Sequence, residues 1–212
     1  HAQNWRNLFN PKTGYIQMRR GDGSWAPGFR HDVNHYDNSF AYIEGTAAQY
    51  TWMVPFDIGG LVEKMGGPDV AAHRLDLFFT KLNDGLSQYA FLGNEHCLQT
   101  PWIYDFLGQP FKTQQVVRRA MTELYSADYA AYPGNDDVGE MSSWYIFAAL
   151  GMYPELPGSD VLVFNSPLYP KAILHLTDGD VTIIGQGAAA DAPYVKKLTI
   201  NGKPWNKSWI NF

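Results

Sequence analysis

The spacing of apolar residues changes once along this chain, near Pro154, and that change limits the folds open to it. Before it, apolar side chains recur every three to four residues. Ile58, Leu61, Val62 and Met65 form one such stripe, and Ala71, Leu75, Phe78 and Leu82 a second. Val116, Val117, Ala120, Met121 and Leu124 form a third, and Met141, Trp144, Tyr145, Ala148 and Met152 a fourth. That is the period of helices with one buried face. After Pro154 short β-prone runs take over: Val161 to Phe164, Ala172 to Leu176, Val181 to Ile184 and Lys197 to Ile200, separated by Pro, Asp and Gly. The chain therefore reads as mainly α with a C-terminal β segment, divided into residues 1–156 and 157–212. Helices joined pairwise by loops predict part of an α/α toroid or bundle.

Within the helical part, residues 1–10 read as the end of a helix and Tyr15 to Arg19 as a short extended piece. From Gly21 to Asn38 no period holds, but Trp25, Phe29 and Tyr36 predict an ordered loop. A helical pattern resumes over 41–54 and stops at Pro55. Asp57 is placed to cap the helix that Gly66-Gly67 ends, and Pro68 opens the next. A further helix is expected from about Cys97 to Leu107. Asn201-Gly202 is the strongest two-residue hairpin signal, and it predicts a final hairpin running to Ile210.

Of the 212 residues 45% are apolar and 17% charged, which is ample material for a core. A net charge of −5 without charged blocks speaks against nucleic acid as a partner. No run approaches the ~18 apolar residues of a membrane helix. Cys97 is the single cysteine, so no internal disulfide can form, and a buried thiol beside a helix is expected to be inert packing. The histidines show no metal-ligand spacing. Trp52, Trp102 and Trp144 are expected in the core and Trp25, on the long loop, at a substrate. With no initiating methionine, the chain reads as a piece of something longer.

Three stretches set a carboxylate beside glycine just before a helical pattern: Glu44-Gly45, Gly93-Asn94-Glu95, and Gly134-Asn135-Asp136-Asp137-Val138-Gly139. Helix starts in a toroid lie on one rim, so the three could converge. Converging carboxylates suit glycoside hydrolysis, in which one acid protonates the leaving oxygen and a carboxylate on the other face activates water or attacks the sugar. A third carboxylate with amide oxygens suits a hard cation such as calcium. Asp137 followed by Glu140 is equally a capping box, and Glu44 and Glu95 equally ordinary surface or capping residues.

These motifs resemble the family-92 glycoside hydrolases, and they do so in order. The match runs through Glu44-Gly45, Gln49-Tyr50-Thr51-Trp52-Met53-Val54-Pro55, Gly93-Asn94-Glu95, Gly108-Gln109-Pro110-Phe111-Lys112-Thr113-Gln114 and Gly134-Asn135-Asp136-Asp137, then Met141-Ser142 and Trp144. The resemblance implies an exo-acting, inverting, calcium-dependent α-mannosidase of bacterial type, trimming terminal mannose from glycans. It implies Glu44 as general acid, with Asp136 and Asp137 supplying the base. It puts Glu95 and Asn94 in the mannose subsite, with Glu95 near the calcium. It implies a partial (α/α)6 barrel whose C-terminal strands pack on an N-terminal β-sandwich, that sandwich and the earlier barrel helices lying outside this chain. It also implies a secreted, periplasmic or cell-surface parent. Thr46, Ala48, Leu92, His96 and Glu140 depart from the family pattern. Two alternatives follow: a non-catalytic carbohydrate-binding or structural portion, or a toroid hydrolase with another sugar specificity.

Overall fold

Most of the helical stripes become helices, each bounded by a residue chosen for its backbone chemistry. The computed structural model describes residues 1–211. Helix α1 covers Ala47–Tyr50, α2 Ile58–Met65, α3 Pro68–Phe78, α4 Ile103–Phe106, α5 Pro110–Glu123 and α6 Glu140–Leu150. The Asp57 carboxylate accepts from the Gly60 N–H at 3.2 Å and so starts α2, while Gly66 at φ 108° ends it. Asp57 also takes bonds from Trp5 (3.2 Å) and Arg6 (2.8 Å), tying a 3-10 turn over Ala2–Asn7 to α2. The apolar stripes then meet in one core around Trp52, Leu61, Leu75, Leu98, Trp102 and Trp144. Each fully buried leucine there is worth about 1.5–3 kcal/mol over an exposed one.

Two expected helices are shorter or broken. The 41–54 pattern yields only α1, because Glu44 adopts φ 53° and the chain reaches a helical path only after Thr46. The 97–107 pattern splits into 3-10 turns over Glu95–Cys97 and Thr100–Trp102 before α4. Pro101 has no N–H to donate and sits buried in the second of these turns. Residues 1–10 likewise carry a 3-10 turn rather than an α-helix. Strand β1 (Phe9–Asn10) then pairs with β2 (Tyr15–Ile16).

The long loop is ordered, as its aromatics predict. It carries a small hairpin of β3 (His35–Tyr36) and β4 (Ser39–Phe40), and a second apolar cluster of Ala26, Tyr36, Tyr42 and Ala47. In the C-terminal segment β5 (Met152–Tyr153) and β6 (Val161–Phe164) pair. The β7 (Lys171–Leu176)–β8 (Gly179–Ile184) hairpin follows, and then β9 (Leu198–Ile200) with β10 (Lys203–Trp205). Asn201 and Gly202 take φ 50° and 76° between β9 and β10, the left-handed pair that a tight hairpin needs. The last strand departs from expectation. β11 (Trp209–Asn211) leaves that hairpin and pairs antiparallel with β6, giving the order β11-β6-β5.

The strands are sewn to the helices by buried polar groups. Arg118 of α5, 3% exposed, donates to Ser166 Oγ (2.9 Å), Pro167 O (2.8 Å) and the Ala189 carbonyl. Asn165 donates to Ala148 O of α6 at 2.8 Å. Residue 156 falls between β5 and β6 of one sheet.

Candidate active site

Gly45 brings the first acidic turn against a buried aromatic pair. The Tyr50 and His96 rings stack at 4.8 Å and 6°, and a Cβ at Gly45 would lie 2.6 Å from Tyr50 and 2.9 Å from His96 Nε2. Only glycine lets the backbone come so close. Gln49 anchors the turn. Its Oε1 accepts the Thr46 N–H at 3.0 Å, and its amide donates to Gly85 O (2.6 Å) and Tyr89 O (2.9 Å). With both amide protons committed, Gln49 Oε1 accepts from His96 Nε2 at 3.3 Å. Burial drops the His96 pKa to about 4, so the ring is a neutral packing element rather than a base. Glu44 itself is exposed.

The second turn hangs on the first through Asn94. Its Nδ2 donates to Glu44 O at 3.0 Å and its Oδ1 accepts the Glu95 N–H at 3.1 Å, so Asn94 is buried while Glu95 projects outward. The third turn is bound to the second main chain to main chain. A Cβ on Gly134 would fall 1.9 Å from Gly93 O, and one on Gly93 would fall 2.5 Å from Pro133 O. Asn83 clamps the same junction, donating to Pro133 O (2.9 Å) and accepting from the Gly93 N–H (2.9 Å). A continuous chain of contacts thus joins all three acidic turns.

The two aspartates are held differently. Both Asp136 oxygens accept from Ser142 Oγ (2.7 and 2.9 Å), and Oδ1 also takes the Ser142 N–H at 2.9 Å. Asp136 therefore satisfies the first turn of α6, and the capping box of Asp137 with Glu140 does not form. Asp137 accepts only from Asn135 Nδ2, at 2.6 Å. It stands at φ 44°, followed by Val138 at 62° and Gly139 at 96°. Left-handed geometry in a β-branched residue is strained, and such strain gathers at functional turns.

Charge links the same residues. Burial raises the Glu140 carboxyl, and the charges of Glu95 and Asp137 raise it further. Burial also raises the Tyr50 hydroxyl, followed by Glu95 and Glu44. Tyr50 thus lies within the field of Glu44 and Glu95, and Glu140 within that of Glu95 and Asp137. None of these carboxylates is in an ion pair with Lys or Arg among the described residues. Such an unneutralised group can hold a proton on one member while another stays ionised.

Trp25 stands outside this chain of hydrogen bonds. It is half-buried, bridged to Arg19, with the Arg19 guanidinium 3.9 Å from its ring centre. Trp52, Trp102 and Trp144 are core, each 1% exposed or less. Among the described residues no group of three or more His, Cys, Asp or Glu is arranged to hold a metal. A calcium ion near Glu95 would draw on amide and main-chain oxygens as well as that carboxylate. Asn83, which clamps the second and third turns, carries no signal in the sequence. Tyr50 lies inside one of the motifs and His96 directly after another, and neither announces its stacked partner.

The whole chain, residues 1–212, matches the model of the glycosyl hydrolase family 92 catalytic domain. The chain belongs to this family. Its fold agrees with that of a family GH92 alpha-mannosidase from Bacteroides thetaiotaomicron (TM-score 0.86, 31% identity), of which 27% is covered by 98% of this chain. It matches a family GH92 inverting mannosidase of the same organism equally well (TM-score 0.86, 32% identity, 98% of this chain and 30% of that one). The first of these mannosidases also matches as its complex with mannoimidazole (TM-score 0.86, 29% identity, 98% of this chain and 29% of that one). An uncharacterized secreted glycosidase of Arthroderma benhamiae is 25% identical over 98% of this chain. The chain spans 29% of that relative's length.

Proposed function

We propose that this family-92 region carries the acid and base of an exo-acting, inverting α-mannosidase that trims terminal mannose from glycans. Residues 1–156 would be the later part of an (α/α)6 barrel and residues 157–212 the β segment that packs on an N-terminal β-sandwich. Support for those outside parts comes from relatives more than three times as long. The secreted glycosidase relative supports a secreted, periplasmic or cell-surface location, and no helix here is long and apolar enough to cross a membrane, among the described residues.

The observation that carries the reading is the union of the three acidic turns through Asn94 and the Gly93–Gly134 contact. In the proposed roles Glu44, free at its turn, protonates the leaving glycosidic oxygen. Asp137 takes a proton from water as it attacks the anomeric carbon from the opposite face, which inverts that carbon. The assignment of the base to Asp137 follows from Asp136 being committed to Ser142. Asn94 and Glu95 would meet the sugar hydroxyls, and Trp25 a more distant part of the glycan.

The test is kinetic, in the complete enzyme with an aryl α-mannoside. Glu44→Gln and Asp137→Asn should each lower kcat by orders of magnitude without lowering thermal stability, and NMR should find β-mannose as first product. Asp136→Ala should instead cost about 1–2 kcal/mol of stability, the usual loss for a removed helix cap. Turnover by Asp137→Asn close to wild type would sink the assignment. Glu140, facing Glu95 and Asp137, favours a second reading, a changed sugar specificity. Faster turnover on another aryl glycoside than on the mannoside would select it.

A further inference from the structure

A second carboxylate pair lies away from these turns, where the helices meet the three-stranded sheet. Asp105 belongs to α4 and Glu155 follows β5. All four carboxylate oxygens are enclosed, and none has a hydrogen-bond partner. Glu155 is only 2% exposed. No Lys or Arg is ion-paired with either among the described residues. The hydroxyls of Thr113 in α5 and Ser208 before β11 lie beside Asp105, yet the Thr113 proton goes to Pro101 O at 3.1 Å.

Buried carboxylates are ordinarily paired, hydrogen-bonded or metal-bound. Neither carboxylate is ion-paired, and only the Thr113 and Ser208 hydroxyls stand near Asp105, with no donor near Glu155. A proton shared directly between the pair needs a hydrogen bond joining them, and none exists. We propose that Asp105 and Glu155 hold an oxygen-seeking divalent cation at the seam between helices and sheet, with the Thr113 and Ser208 hydroxyls as neutral donors. Four carboxylate and two hydroxyl oxygens reach the lower end of the roughly six to eight that such a cation takes. Its two positive charges match the two carboxylates. The site ties α4 to the turn after β5, independently of any catalytic role for Glu44 or Asp137.

The test uses the whole chain, stripped of metal in denaturant and refolded with CaCl2 or MgCl2. Elemental analysis after desalting should find one ion per chain. Terbium in its place should luminesce through Trp102, whose ring stacks on Tyr153 at 4.0 Å, two residues before Glu155. Asp105→Asn and Glu155→Gln, singly and together, should abolish retention, whereas Glu95→Gln should keep it. Trp102→Phe should lower the terbium emission several-fold while the ion stays bound. The proposal is overturned if the wild-type chain retains no ion, if the double variant still holds one, or if emission is unchanged in Trp102→Phe.

Discussion

Gly134→Ala tests the junction on which the candidate site depends. The added methyl would fall 1.9 Å from Gly93 O, with the Gly93 carbonyl carbon at 2.7 Å and its Cα at 2.8 Å. All three atoms are main chain, so no side-chain rotation relieves the clash. An ordinary contact begins near 3.4 Å, and the two turns must part by about 1.5 Å. Overpacking of this kind costs about 1–3 kcal/mol, and main-chain neighbours place this case at the upper end. In a chain of this size a loss of ~3 kcal/mol lowers Tm by roughly 6–12 °C. The displacement also separates Asp137 from Glu44, and a misplacement near 1 Å can cost about 100-fold in rate. Urea titration of the chain reads the first effect, and mannosidase assay of the complete enzyme the second. Gly59→Ala is the control, because a Cβ there meets nothing within 4 Å in α2 and should stabilise by about 0.4–1 kcal/mol. If Gly134→Ala is as stable and active as Gly59→Ala, the three turns are not held together as described.

Other outcomes follow from the buried polar groups. Arg118→Met should destabilise by about 3 kcal/mol in urea, since it strips the Ser166, Pro167 and Ala189 oxygens of a charged donor. Arg118→Lys should recover only part of that, because one ammonium cannot span the Ser166 hydroxyl and the two carbonyls together. Cys97 is fully buried and burial pushes its thiol up to about 12, so a thiol reagent at pH 8 should label it only as fast as the chain unfolds. Glu140 has a raised carboxyl, so the folded state holds its proton more tightly than the unfolded one. Its contribution is complete below the unfolded value of 4.5 and is lost as pH rises through the higher folded value. Glu140→Gln should therefore gain stability relative to wild type between pH 5 and 8, by well under ~1 kcal/mol because the group is half-exposed.

The elements whose signals are local are legible from the residues alone. The stripes of α2, α3, α5 and α6, the Asp57 cap, the Asn201-Gly202 turn and the order of the acidic motifs need only neighbouring residues to be read. Family membership was legible for the same reason. Other features depend on contacts between distant residues. Glu44 takes a left-handed path as Gly45 seats on Tyr50 and His96, which ends one helical pattern, while Pro101, a breaker visible in the sequence, interrupts the other. The pairing of β11 with β6 joins residues about 50 apart, which no local pattern encodes. Which of Asp136 and Asp137 engages α6 was also open in the sequence, since either could reach its first turn. Ser142 takes Asp136, and the left-handed path through Val138 and Gly139 turns Asp137 away. Adjacent residues of one type are told apart by the partners that folding brings to each, and those partners are fixed in space rather than along the chain.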